Sequence, residues 1–220
     1  MLYASFASIY SMKSEARSND ELLICLSVSS WIQKRVSHKT DMSLLNTILF
    51  KVGRPVRSSL RRLPRIYYSL RVRIQVASCG SELRVNALSR VTRHTHLGRN
   101  VNFNGMTVRG SGLVRIGDNF HSGEGCLMIS QIHNYDHGTA IPYDDTYIPK
   151  DIIIGDNVWL GDRVIILGES VIGEGAIIQA GSCVVGDIPR CAIVGGHPAK
   201  VFKYRDVDHY EGLKAASRFH

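Results

Sequence analysis

Residues 154–189 repeat every six places, and few folds can use such a period. In sixes the stretch reads Ile154-Gly-Asp-Asn-Val-Trp159, Leu160-Gly-Asp-Arg-Val-Ile165, Ile166-Leu-Gly-Glu-Ser-Val171, Ile172-Gly-Glu-Gly-Ala-Ile177, Ile178-Gln-Ala-Gly-Ser-Cys183 and Val184-Val-Gly-Asp-Ile-Pro189. The first place is always aliphatic, and four places later a mostly small residue follows, with Ile188 the exception. Neither a helix of period 3.6 nor a strand of period 2 returns the same residue every sixth place. A three-sided prism does, if each unit is one short strand plus a corner, with the aliphatic residue inside. Gly155, Gly161 and Gly173, with the Asp-Asn and Glu-Gly pairs, suit corners of unusual backbone angle. The expected fold is an all-β solenoid, a parallel β-helix of hexapeptide repeats.

Looser sixes precede the clean ones: Leu97-Gly-Arg-Asn-Val-Asn102, Ile116-Gly-Asp-Asn-Phe-His121 and the degraded Ser122-Gly-Glu-Gly-Cys-Leu127. Leu97 to Ile116 is 19 residues, one more than a three-sided turn, and Ile116 to Ile154 is 38, read as two turns plus two. A bulged corner or a longer excursion has to absorb each excess. The clearest break is Ser130 to Lys150, where Asn134, Gly138, Pro142 and Pro149 puncture the pattern. Loops of that length in a compact repeat usually have a task. This one carries His133 and His137 beside Asp136, Asp144 and Asp145, the composition of a polar site; two incidental surface histidines are the bland alternative.

A chain of 220 residues fits one domain with an appendage, or two small ones. Its five cysteines are scattered, odd in number and lack a CxxC pair, which points to a reduced, cytosolic chain without disulfides or structural zinc. The net charge of +8 has a local origin. Residues 42–73 hold eight basic side chains (Lys51, Arg54, Arg57, Arg61, Arg62, Arg65, Arg71, Arg73) and no acid, while 19 basic and 19 acidic residues balance elsewhere. Between Leu44 and Val72 apolar residues recur at helical spacing, broken by Gly53, Pro55 and Pro64. Such a basic amphipathic segment suits peripheral contact with an anionic membrane surface; a helix docked on the solenoid's flank with its arginines in water is the other reading. Nucleic-acid binding lacks an accompanying motif. Residues 1–41 show little pattern, and a chain start at Met42 with 1–41 upstream of it is one reading. Glu21-Leu-Leu-Ile-Cys-Leu-Ser-Val28 is too short for a membrane span, and the acids before it exclude a signal peptide. The expected organisation is therefore 1–41 extension, 42–80 basic helical segment, 81–203 solenoid with an active-site loop at about 130–150, and 204–220 C-terminal tail.

Ile154-Gly-Asp-Asn-Val-Trp-Leu-Gly161, Val184-Val-Gly-Asp-Ile-Pro189 and Val194-Gly-Gly-His-Pro-Ala-Lys-Val201 resemble the hexapeptide-repeat acyltransferases, closest to the maltose and galactoside O-acetyltransferases and their polysaccharide-modifying relatives. The resemblance spans residues 85–203 and is most specific after 150. It implies a left-handed β-helix, a homotrimer, and acetyl-CoA in the groove between adjacent prisms. It places a catalytic histidine at His133, the tryptophan beside the cofactor thiol at Trp159, and the turn facing the thioester at Gly161 and Asp162. Ala180 matches the small residue of the pantetheine channel, and Lys200 and Lys203 match the positions facing the nucleotide phosphates. Two departures stand out: Val185-Gly186 replaces the usual Thr-Lys, and Leu167-Gly168 replaces a Pro-Gly corner. Asn102 and Asn104 lie where the family grips sugar hydroxyls, with the alignment slipping by a residue.

The chemistry so implied needs one base. A histidine is mostly neutral at cytosolic pH and can take the proton of a hydroxyl attacking a thioester. His133 is expected in that role, with Gly161 supplying an oxyanion-hole N–H. Cys126 and Cys183 read as packing. Trp159, placed at a corner, could instead cap the trimer seam, and Lys200 and Lys203 could be ordinary solvated residues. A carbonic anhydrase with zinc held by three of His94, His96, His121, His133 and His137 is a competing reading, as is a silent trimeric scaffold. The expected activity is transfer of an acetyl group to a sugar hydroxyl of a cell-surface polysaccharide or lipopolysaccharide precursor. Its expected place is the cytoplasm, with a peripheral position at the inner face of the membrane as a further reading.

Overall fold

A computed structural model describes residues 64–220. The readings made for 1–41, for Met42 and for 43–63 of the basic segment lie outside the described residues.

The six-residue period produces three parallel sheets, one per face of a prism. Face A stacks β1 (Ser78–Cys79), β3 (Thr95–Leu97), β6 (Val114–Ile116), β11 (Ile152–Ile154) and β14 (Ser170–Ile172). Face B stacks β2 (Arg84–Ala87), β4 (Asn102–Asn104), β7 (His121–Glu124), β12 (Trp159–Leu160), β15 (Ile177–Ile178) and β17 (Ala192–Gly196), and closes with β18 (Ala199–Tyr204), which runs antiparallel to β17. Face C stacks β5 (Thr107–Arg109), β8 (Leu127–Ile129), β13 (Ile165–Leu167) and β16 (Cys183–Val184). The ladder thus begins at Ser78, three residues ahead of the expected start at 81.

The inward positions follow the sequence pattern. Ile154, Leu160, Ile166, Ile172, Ile178 and Val184 are buried, as are Val158, Val164, Ser170, Ala176, Ser182 and Ile188 four places after each. Each buried aliphatic side chain contributes about 1.5–3 kcal/mol relative to exposure. The degraded unit keeps the rule, since Ser122 is buried directly beside Leu160 in the ladder. Cys126 and Cys183 are buried too, and burial pushes both thiols up, which fits packing rather than nucleophilic use.

Two readings need correction. Gly155, Gly161 and Gly173 do not supply unusual angles; left-handed backbone falls two places later, at Asn157, Arg163 and Gly175. These three glycines exist because the next coil passes where a Cβ would sit: Gly161's would lie 2.5 Å from Ala180 N and Gly173's 2.5 Å from Arg190 N. The second correction concerns the count between Ile116 and Ile154. These residues are direct ladder partners, one coil apart. The 38 residues are one turn of 18 plus a 20-residue excursion (131–150), not two turns plus two. Leu97 and Ile116 are also direct partners, so that turn does carry one extra residue.

The corner between faces A and B is built from the Asn of each Gly-Asp-Asn or Gly-Arg-Asn triplet. Asn100, Asn119 and Asn157 all take positive φ, which asparagine tolerates better than most residues. Their amides form a directional chain: Asn100 Nδ2 donates to Asn119 Oδ1 (3.0 Å), and Asn119 Nδ2 to Asn157 Oδ1 (2.9 Å). Asn157 Nδ2 then donates to Tyr210 Oη (2.8 Å), which donates to Glu174 Oε1 (2.8 Å). Tyr210 belongs to a helix, Val207–Ala215, in the stretch read as a tail. Asp206 caps it, its carboxylate accepting from His209 N. Burial and the neighbouring Glu174 push the Tyr210 hydroxyl up to about 12.

At the other end, residues 64–75 are helical. Val72 is fully buried in the solenoid's core, Tyr68 and Val76 pack against it, and Ser69 Oγ accepts from Val85 N. This is the docked helix of the second reading for that part of the segment. Among the described residues no helix is long and apolar enough to cross a membrane.

Candidate active site

His133 stands outside the prism. After β8 the chain turns at buried Ser130, whose carbonyl accepts from both Gly112 N and Lys150 N. From that root β9 (Gln131–His133) and β10 (Tyr147–Pro149) project as an antiparallel hairpin, with His133 opposite Tyr147. Lys150 anchors the return through an ion pair with Glu169. The break seen in the sequence is therefore this hairpin and its tip.

The imidazole of His133 stacks on Tyr143 (ring centroids 3.7 Å apart, planes at 24°) and leans on Tyr147 (4.4 Å). Its Nδ1 is buried and has no hydrogen-bond partner among the described residues. No carboxylate of the loop serves it. Asp144 is occupied with the loop itself, accepting from the backbone N–H and hydroxyl of both Thr139 and Thr146, and these bonds hold its carboxyl far below the usual range. Asp136, Asp145 and His137 are exposed.

Trp159 is not at a corner. It is the first residue of β12, half exposed on the outer side of face B, with His121 and Ile177 as ladder neighbours. The outer row through it reads Arg84, Asn102, His121, Trp159, Ile177, Ile193, Lys203. Lys200 is exposed opposite Gly195, two places from Ile193 and on the same side of the strand. Three strand spacings separate Trp159 from Lys203, roughly 14 Å. Gly161, Asp162 and Ala180 gather where faces B and C meet: Gly161 lies against Ala180, and Asp162 O accepts from Gly181 N. All six predicted cofactor-side residues thus fall on face B or on its edge with face C.

One expected role fails. The Gly161 N–H is committed to Ile178 O at 2.8 Å, so it cannot serve an oxyanion. Asp162 Oδ1 accepts from Glu124 N at 2.8 Å and braces the corner.

His133 and Trp159 do not meet in one chain. The hairpin leaves between β8 on face C and β11 on face A, the prism edge opposite face B.

Sequence reasoning offered His121 only as one of five candidate zinc ligands, yet it sits directly beside Trp159. The signal was there: both close an Ile-Gly-Asp-Asn unit, at the sixth place. Burial, His220 and Arg84 lower its pKa, and its Nε2 has no partner among the described residues. Tyr143 and Tyr147 were likewise missed. His96 faces outward on face A beside Ser78. Among the described residues no three His, Cys, Asp or Glu side chains gather closely enough to hold a metal.

Comparison with known proteins finds the same repeat and fold elsewhere. The family model described as bacterial transferase hexapeptide (six repeats) matches residues 151–186. A galactoside O-acetyltransferase of Escherichia coli K12 is 34% identical over 120 residues, covering 52% of this chain and 58% of its own. WbbJ of the same organism, named for O-acetyl transfer in lipopolysaccharide biosynthesis, is 33% identical over 94 residues, covering 37% of this chain and 48% of its own. The chain thus spans about half the length of these curated relatives. A galactoside acetyltransferase solved in complex with coenzyme A superposes with a TM-score of 0.54 at 30% identity, over 60% of this chain and 68% of that one.

Proposed function

The chain belongs to the hexapeptide-repeat acyltransferases, and on that premise we propose that it transfers an acetyl group from acetyl-CoA to a sugar hydroxyl. The observation that carries the reading is the outer row of face B. It offers an aromatic platform at Trp159 and two exposed lysines at its far end, a layout suited to a long cofactor with a thioester at one end and phosphates at the other.

His133 is the general base. Its imidazole takes the proton of the acceptor hydroxyl as the oxygen attacks the thioester carbonyl. The tetrahedral intermediate collapses, the C–S bond breaks, and the imidazolium returns the proton to the departing thiolate. Tyr143 and Tyr147 hold the ring plane. Because His133 and Trp159 lie on opposite sides of one prism, the working site is assembled from two copies, in a homotrimer with its grooves between prisms. The orphaned Nδ1 of His133 then finds its partner on the neighbouring copy. The oxyanion donor has to be a group other than the N–H of Trp159 or of Gly161, since both are bonded within the solenoid.

For the acceptor, the likeness to WbbJ favours a precursor of a cell-surface polysaccharide or lipopolysaccharide. An acetyl-CoA donor puts the reaction in the cytoplasm. A thiol-release assay across sugars, nucleotide sugars and extracted glycan precursors tests this. His133→Ala should lower turnover about 100- to 10,000-fold while the oligomer and coenzyme A affinity persist. If no hydroxyl compound stimulates thiol release, or if the variant turns over normally, the proposal is wrong.

A further inference from the structure

The helical residues 64–75 carry two apolar faces, and the solenoid uses only one. Tyr68 and Val72 face the core. On the other side Ile66 (62% exposed), Tyr67 (58%), Leu70 (57%) and Ile74 (75%) lie in water. At 100° per residue these four span one continuous stripe, and Arg73 and Arg71 fall on its two flanks. Four adjacent large apolar side chains on one helix mark an interaction surface rather than ordinary scatter.

We propose that this stripe seats the protein on an anionic phospholipid surface. Charge selects the occupant. The stretch 42–73 carries eight basic residues and no acid, whereas the remainder of the chain is balanced at 19 and 19. A second copy of the same segment, or a neighbouring part of it, would bring like charge against like. A bilayer bearing anionic headgroups satisfies both features: the aliphatic stripe enters the headgroup boundary, and the flanking arginines keep their stems on it while their guanidinium groups meet phosphates. This goes beyond the acyl-transfer reading and does not depend on it.

The test is co-sedimentation of the full chain with phosphatidylcholine vesicles, with and without roughly 30 mol% phosphatidylglycerol, at low and high salt. The wild type should bind the anionic vesicles and not the neutral ones, with binding that falls as salt rises. Ile66→Ser/Leu70→Ser/Ile74→Ser should lower partitioning at least tenfold. Melting temperature and oligomeric state should stay unchanged, because all three side chains are exposed. Arg73→Gln, on the flank of the stripe, should cost about fivefold. Equal binding to neutral vesicles, or none to either, overturns the proposal, as does a triple variant that partitions like wild type. A triple variant that melts lower or changes oligomeric state also overturns it, since the stripe would then be covered by protein.

Discussion

Asn119 is where the corner between faces A and B can be tested. Replacement by Ala removes two side-chain hydrogen bonds, one accepted from Asn100 and one donated to Asn157. At about 1 kcal/mol each, these contribute roughly 2 kcal/mol. Alanine must also adopt φ 54, which costs about 1 kcal/mol more than in a residue tolerant of left-handed backbone. The expected total is about 3 kcal/mol, a fall of some 6–12 °C in melting temperature for a chain of this size. Asn119→Gly removes the same bonds without the backbone cost, so it should lose only about 2 kcal/mol. Urea unfolding followed by circular dichroism, at fixed protein concentration, measures both. An Ala variant within 1 kcal/mol of wild type, or a Gly variant as damaged as Ala, would refute the idea that this asparagine column holds the coils in register.

Gly161→Ala should destabilise by about 1–3 kcal/mol, because the new methyl group meets backbone that cannot yield, and thermal melting will show it. Glu174 gives a pH signature. Burial raises its pKa, but hydrogen bonds from Lys214 and Tyr210 and the charges of Lys214 and Arg190 outweigh this, and the net shift is downward. A carboxylate lowered on folding stabilises fully above its ordinary value of 4.5, and that contribution disappears as pH falls through the lowered value. Glu174→Gln should therefore flatten the acid limb of the stability profile; an unchanged limb would remove Glu174 from the account.

The parts of this molecule visible in the sequence were those set by short-range periodicity. An aliphatic residue every sixth place means one thing in a prism, so the inward positions could be named individually. What periodicity cannot report is how far the chain wanders between two units. A 20-residue excursion plus one turn and two turns plus two give the same count of 38, and only strand pairing distinguishes them. Gly155, Gly161 and Gly173 were found for the wrong reason, because close approach by the next coil and unusual backbone angle select the same residue. Trp159 was put at a corner because strands here are two or three residues long and their boundaries fall within the unit. His121 was not placed beside the cofactor although it fills the same place in its unit as Trp159, since alignment by motif ignores a residue the motif does not name. The helix Val207–Ala215 has no buried residue of its own. It is held by Tyr210 and Lys214 on Glu174, contacts that no hydrophobic pattern records.

The central claim is that the base and the thioester platform belong to different copies of the chain. Mixing subunits decides it. His133→Ala and Trp159→Ala homo-oligomers should each be nearly inactive in the thiol-release assay. After dissociation and reassembly at equal amounts, a site pairing an intact His133 with a neighbour's intact Trp159 forms at about one interface in four. About a quarter of wild-type activity should return. If the mixture stays as inactive as its parents although exchange has occurred, His133 and Trp159 work within one chain and the proposed site is wrong.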